Sequence, residues 1–231
     1  MSPQSDIQLH YIEQGVGQPF ILLHGNGESC GYFEHQIPFF SSNYRVIAID
    51  TRGHGQSPRG EKPFTIQQFA VDLYDFMEEQ GVEKAILLGF SDGGNIAMEF
   101  ALRHPERVEK LILNGANLFP SGVKPRYQWP IELGYRLAKL FAKKSEQARK
   151  NAEMLGLMVN EPHIDPVELS KLTMPVLVVV GTKDMIKASH TRLIYENLPN
   201  ARLEIVAGDH FVANKHPDAF NAAVLKFLVD F

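Results

Sequence analysis

The sequence predicts an α/β protein, a mostly parallel sheet of about seven strands with helices on both faces. Three observations carry that expectation. Short apolar runs (Phe20–Leu23, Val46–Ile49, Ala85–Leu88, Val176–Val180) recur along the chain with stretches of helical periodicity between them. Unbroken apolar runs suit strands covered on both faces, and their alternation with helices implies parallel pairing through crossovers. Each run also ends in glycine-rich or charged residues, the chemistry that such sheets gather at the carboxyl ends of their strands.

In chain order, Ile7, Leu9 and Tyr11 alternate with polar residues and predict a half-buried strand, closed by the turn Gly15-Val16-Gly17. Phe20–Leu23 runs into His24-Gly25-Asn26-Gly27, and a helix is expected from about Cys30 to Phe40. Val46–Ile49 ends at Asp50-Thr51-Arg52-Gly53-His54-Gly55-Gln56-Ser57. Thr65 and Gln68 have capping-box spacing, and Ile66, Phe69, Leu73, Phe76 and Met77 keep helical spacing up to Gly81. Ala85–Leu88 meets the glycine-rich stretch 89–94, and a helix over 92–104 is closed by Pro105. Leu111–Leu113, Pro175–Val180 and Leu203–Val206 are the later strands, and Pro217–Phe231 is a final amphipathic helix.

Residues 117–171 break this rhythm. The segment is too long for a crossover and holds no convincing strand. Tyr127–Phe141 and Glu146–Met158 read as two helices, and Asp165-Pro166 starts a short third. A helical cap over the sheet's carboxyl edge is expected there, inserted into one domain spanning 1–231.

Composition narrows the partners. At 231 residues the chain suits one sizeable core, and 44% apolar with 22% charged residues is ordinary for a soluble protein. The net charge of −4 argues against nucleic-acid or anionic-membrane binding. Lys139, Lys143, Lys144, Arg149 and Lys150 form a basic run, read as a solvated helix face. The lone Cys30 excludes an internal disulfide framework, and no thiol signature marks it as catalytic. The polar start (Met1 to Asp6) lacks the look of a signal peptide, and no apolar stretch approaches the ~18–20 residues that span a bilayer. The expectation is a cytoplasmic protein, monomer or homodimer, acting on a small molecule with no cofactor and no metal.

The chemistry centres on Gly89-Phe90-Ser91-Asp92-Gly93. A strand that reverses sharply into a helix crowds its turn residue, and glycines two positions away on each side relieve the crowding. The serine is pushed out over the strand end, beside a helix N-terminus suited to a developing oxyanion. A serine hydroxyl needs a base, and the base needs a carboxylate to fix its tautomer. Of nine histidines, His210 follows the last strand and is the candidate base. His54, on an edge loop, is its rival; His24 is expected to brace the oxyanion loop. Asp184, after the strongest late strand, is the candidate acid, with an N-cap for the helix 186–197 as its alternative role. Asp209 is expected to shape its loop, and Asp50 to tie the 52–55 loop through backbone hydrogen bonds. The oxyanion donors are expected to be the backbone N–H groups of Asp92 and Asn26, with Gly27 in reserve. Within the cap, Trp129, Leu133 and Met158 are candidates to touch substrate.

With those motifs the sequence resembles the α/β-hydrolase superfamily over nearly its whole length. The matching features are the elbow 89–93, His24-Gly25-Asn26-Gly27, the 50–57 run, Gly181-Thr182-Lys183-Asp184 and Gly208-Asp209-His210. The form Ser91-Asp92-Gly93-Gly94 is similar to that of small esterases related to valacyclovir hydrolase. The resemblance implies serine hydrolysis of esters or related acyl compounds. Two departures stand out: the chain is short at its N-terminus, which puts the usual first antiparallel strand in question, and the cap is small. Ser91 disfavours the relatives with an aspartate nucleophile, epoxide hydrolases and haloalkane dehalogenases.

The leading expectation is therefore a carboxylic ester hydrolase for short to medium apolar acyl groups. Hydrolysis of a carbon–carbon bond in a diketone-type substrate uses the same three residues, as do perhydrolysis and acyl transfer. A non-catalytic sensor on this fold is the alternative from another class, and the intact Ser91, Asp184 and His210 argue against it.

Overall fold

The computed structural model describes residues Ser5–Phe231, and its seven strands form one sheet. These are β1 (Tyr11–Gln14), β2 (Pro19–Leu23), β3 (Arg45–Ile49), β4 (Ala85–Phe90), β5 (Val108–Asn114), β6 (Val176–Gly181) and β7 (Ala201–Val206). Their order is β1-β3-β2-β4-β5-β6-β7, parallel throughout except for β1, which lies antiparallel to β3 at one edge. The antiparallel strand that the short N-terminus put in question is thus present. It runs later than the alternation of Ile7, Leu9 and Tyr11 suggests. Ser57 Oγ takes the His10 N–H at 2.8 Å, so the regular ladder begins only at Tyr11↔Ile49.

The helices are α1 (Gln36–Phe40), α2 (Ile66–Glu79), α3 (Asp92–Arg103), α4 (Pro125–Phe141), α5 (Glu146–Asn160), α6 (Ala188–Asn197), α7 (Val212–Lys215) and α8 (Pro217–Asp230). The period of two along each strand divides the core. Ile21, Leu23, Ile47, Ile49 and Leu87 meet α2, α3 and α6 on one face. Phe20, Leu22, Val46, Ala48, Ile86 and Leu88 meet α1 and α8 on the other. Each of the Val, Leu, Ile and Phe side chains so buried contributes roughly 1.5–3 kcal/mol.

The expected helix over 30–40 is instead a 3₁₀ turn, Cys30–Phe33, followed by α1. Pro38 explains the break: it has no N–H for the Glu34 carbonyl, and its ring would clash there in a continuous helix. Thr65 caps α2, its hydroxyl accepting the Gln68 N–H at 3.1 Å. Between β5 and β6, α4 and α5 pack on each other as an antiparallel pair, and Asp165 caps the 3₁₀ turn Pro166–Lys171.

The strand order reverses between β2 and β4. The loops leaving their carboxyl ends diverge there and open a crevice, the usual ligand position in such sheets. Asn26 lies in one of these loops and Ser91 in the other.

Candidate active site

Ser91 follows β4 directly and has φ +52°, ψ −119°. Among the described residues it is the one non-glycine with positive φ, a conformation that surrounding structure must impose. Its N–H donates to Asn114 O (2.8 Å), while its carbonyl accepts from Gly94 and Asn95 (2.8 and 3.1 Å). The flanking glycines are steric requirements. A Cβ on Gly89 would stand 2.2 Å from Gly93 O, and one on Gly93 would stand 2.0 Å from Leu23 O. The elbow is therefore wedged between its own helix and the end of β2.

Asp184 and His210 come from the ends of β6 and β7 and are both buried. Asp184 Oδ1 accepts from His210 Nδ1 at 2.7 Å and from the Ile186 N–H at 2.9 Å; Oδ2 accepts from Gly181 at 3.3 Å. Burial pushes the Asp184 carboxyl up, but His210 and these N–H groups outweigh it and hold it below the usual carboxylate range. As acceptor, Asp184 requires the proton on Nδ1 and leaves Nε2 as the lone-pair nitrogen. Nε2 is buried with no hydrogen-bond partner among the described residues. The ring packs against Phe90, centroids 4.9 Å apart, which seats it beside the elbow. Ser91 Oγ and His210 Nε2 are not hydrogen-bonded in this structure. The N-cap alternative for Asp184 is not what is seen, because α6 starts at Ala188 after Lys187.

The loop after β2 lies against the elbow: a Cβ on Gly25 would meet the Phe90 ring at 2.9 Å and Ser91 Cβ at 3.3 Å. His24 braces this loop. Its Nδ1–H donates to Gly25 O (2.7 Å), and Nε2 accepts the Thr51 N–H (3.0 Å). Burial, with neighbouring His54, lowers its pKa to about 4, so the ring is neutral at physiological pH. The backbone N–H groups of Asn26 and Asp92 have no hydrogen-bond acceptor among the described residues. The Asn26 amide bridges two elements, donating to Asp92 Oδ2 (2.9 Å) and to Met154 O of α5 (2.8 Å). Asn95 adds a bond to Asp92 Oδ1 (3.2 Å) and one to Asn117 Oδ1 (3.2 Å). Burial raises the Asp92 carboxyl despite these amides and the nearby His210. Asn95 was visible as a residue three along from Asp92 on one helix; nothing in the sequence marked the reach of Asn26 to Met154.

The other candidates fall elsewhere. His54 is held within its own loop by Arg52 O (3.0 Å) and Thr51 Oγ1 (3.1 Å). Asp50 accepts the Cys30 and Gln56 N–H groups (2.6 and 2.8 Å) and meets His10 Nδ1 (2.9 Å), tying three segments together. Burial and Asp50 push the Cys30 thiol up to about 12. That makes His10, Cys30 and Asp50 a poor cation site, with the carboxylate already engaged and the thiol reluctant to ionise. Asp209 is half-buried; it accepts the Phe211 N–H and pairs with Lys215.

Leu118 and Leu157 of the inserted segment are buried in the core. Met158 is half-buried, whereas Trp129 and Leu133 are 77% and 55% exposed. The latter two line an open hollow of about 170 Å³ that contains none of Ser91, Asp184 or His210. A separate cleft of about 390 Å³ has Glu28, Tyr32, Phe211 and Asn214 in its walls, and it too contains none of Ser91, Asp184 or His210.

A family model described as the alpha/beta hydrolase fold matches residues 18–158. A protein of Caulobacter sp. (strain K31), provisionally named a carbamate hydrolase, is 31% identical over 91% of this chain and 90% of its own. A 2-hydroxy-6-oxononadienedioate/2-hydroxy-6-oxononatrienedioate hydrolase of Comamonas testosteroni is 29% identical over 98% and 93%. Among solved structures, the enol-lactonase of Burkholderia xenovorans LB400 superposes with a TM-score of 0.81 at 22% identity, covering 96% of this chain and 97% of that one. At that identity the likeness speaks for the fold alone. No helix among the described residues is long and apolar enough to cross a membrane.

Proposed function

The chain belongs to the α/β-hydrolase family, hydrolases stand among its relatives, and from that premise we propose that it is a serine hydrolase of carboxylic esters with small to medium apolar acyl groups. The observation that carries the proposal is the backbone of Ser91, forced to φ +52° at the mouth of α3. A fold holds a non-glycine residue there at a cost of about 1–3 kcal/mol, and such strain gathers at working sites.

In the proposed reaction His210 Nε2 takes the Ser91 proton as Oγ attacks the substrate carbonyl carbon. The Oγ–Nε2 hydrogen bond forms with substrate seated, since catalytic contacts are often loose in the empty enzyme. The oxyanion is received by the N–H groups of Asn26 and Asp92, which have no acceptor among the described residues. His210 then passes the proton to the departing alcohol oxygen as the carbon–oxygen bond breaks, leaving acyl-Ser91. Water, deprotonated by His210, releases the acid and restores the serine. Asp184 keeps the proton on Nδ1 and stabilises the imidazolium. We take the α4–α5 pair as a cap on this site, tied to the oxyanion loop by the Asn26 bond to Met154 O, and keep the half-buried Met158 as the cap residue to meet substrate; the exposure of Trp129 and Leu133 gives them less support.

A panel of p-nitrophenyl esters of increasing acyl length tests the proposal, with fluorophosphonate labelling in parallel. Turnover and labelling should both vanish in Ser91→Ala. Turnover that survives in that variant overturns the mechanism. A second reading, hydrolysis of a carbon–carbon bond, is favoured by the Comamonas relative and its like. A diketone-type substrate run beside the esters separates the two by kcat/KM.

A further inference from the structure

α4 has an apolar face turned the wrong way for packing. Its inner side, with Ile131, Tyr135, Ala138 and Ala142, is half-buried and lies against α5. The opposite side carries Trp129, Leu133, Leu137 and Leu140, spaced i, i+4, i+8 and i+11, with Phe141 alongside. These five are 77%, 55%, 51%, 73% and 56% exposed. Together they present on the order of 500 Å² of apolar surface, as large as the biggest patches on ordinary monomers and normally a mark of interaction.

The charge around this stripe is segregated. Residues 124–150 contain eight lysines and arginines against two glutamates, a net of +6, while the remaining residues hold 15 basic and 25 acidic groups, a net of −10. The whole-chain value of −4 conceals this, which is why it argues against anionic partners when read alone. Arg136, Lys139, Lys143 and Lys144 are exposed along the stripe or at its end.

We propose that the outer face of α4 is a docking surface for an anionic lipid interface. A helix with aromatic and leucine residues on one side and basic residues flanking them lies in the plane of such an interface, its apolar side in the headgroup boundary. Acidic headgroups supply the partner charge that Arg136, Lys139, Lys143 and Lys144 lack among the described residues. A second copy of the chain fits less well. A twofold contact would set the patch against itself, bringing Arg136 and its neighbouring lysines together. Docking here is peripheral; α4 lies on the membrane and does not cross it.

Trp129 is the chain's one tryptophan, so its emission reports on this face directly. The full chain is titrated with vesicles of phosphatidylcholine alone and of equal parts phosphatidylcholine and phosphatidylglycerol, and bound protein is measured by flotation. A blue-shifted emission and flotation with the anionic vesicles are expected, both weakened by high salt. Leu140→Glu should abolish them, and Lys143→Glu with Lys144→Glu should weaken partition by at least about tenfold. Leu140 is solvent-exposed, so its variant should keep the parent's melting temperature and its turnover of a soluble ester. No shift with anionic vesicles at low salt overturns the proposal, as does equal binding to neutral vesicles. A shift that grows with protein concentration without lipid, in step with a doubled mass by ultracentrifugation, also overturns it and makes this face a contact between copies. None of these failures touches the serine-hydrolase reading, which rests on Ser91.

Discussion

Asp184 Oδ1 stands 2.7 Å from His210 Nδ1, joining two loops 26 residues apart in sequence. The same oxygen accepts the Ile186 N–H, so the carboxylate is fixed by the backbone before it meets the ring. This pair decides which imidazole nitrogen is free. Asn in place of Asp184 could present an N–H toward Nδ1 and push the proton to Nε2, where it blocks base catalysis. Asp184→Asn is expected to lower kcat on the order of 10⁴-fold while the fold persists. Ester turnover and circular dichroism of the variant check this; a loss under tenfold would remove Asp184 from the mechanism.

Gly93→Ala tests the steric reading of the elbow. The added methyl would stand 2.0 Å from the Leu23 carbonyl oxygen and 2.6 Å from that of His24, main-chain atoms at the end of β2 and the start of the oxyanion loop. Backbone there cannot move aside as a flexible side chain can. The substitution should cost more than about 3 kcal/mol or prevent soluble expression. Urea unfolding measures it, and a cost below 1 kcal/mol would show that the elbow is not wedged.

Much of this arrangement was legible in the sequence because it is local. The apolar runs name the buried strands, Thr65 with Gln68 names the start of α2, and the glycine spacing around Ser91 names a strand-to-helix turn. What escaped was set by partners distant in sequence. His10 keeps only half of a ladder pair, its carbonyl accepting the Asp50 N–H while Ser57 captures its own N–H, a competition that no alternation pattern records. The break in the Cys30–Phe40 helix is the local exception: it falls at residues 34–35, one turn before Pro38, where the Glu34 carbonyl has no N–H to meet. Trp129 and Leu133 are apolar at helical spacing, which suggests burial, yet the side of α4 that packs is the one bearing Ile131 and Tyr135. Periodicity gives a stripe without saying what covers it.

Acid should loosen the fold through two buried histidines. His24 and His190 each use Nε2 to accept a backbone N–H, from Thr51 (3.0 Å) and Leu118 (2.9 Å), which a protonated ring cannot do. Burial lowers both pKa values from an ordinary 6.5 to about 4, assisted by His54 in one case and Lys187 in the other. Between those limits the unfolded chain binds the protons and the folded chain does not. Stability is therefore complete above about pH 6.5 and falls as pH drops toward 4, by up to about 3 kcal/mol from His24. Melting temperatures at half-unit steps from pH 7.5 to 4.5 should decline through this window; a flat profile would contradict the buried neutral rings.

Tyr32 offers a test in the opposite direction. Its ring lies flat on Phe90, centroids 4.3 Å apart and planes 1° from parallel, while its hydroxyl is buried without a partner among the described residues. Burial, with Glu28, Asp209 and Asp184 nearby, drives its pKa far above the ordinary phenol value, so the group stays a neutral O–H. A buried hydroxyl that makes no hydrogen bond costs about 1–3 kcal/mol of desolvation with nothing to offset it. Tyr32→Phe keeps the stacked ring and removes that cost. The variant is expected to be more stable by about 1 kcal/mol, which at this chain length raises the melting temperature by roughly 2–4 °C. Calorimetry decides the matter: a lower melting temperature would mean that the hydroxyl has a partner in solution, in the cleft it shares with Glu28 and Asn214.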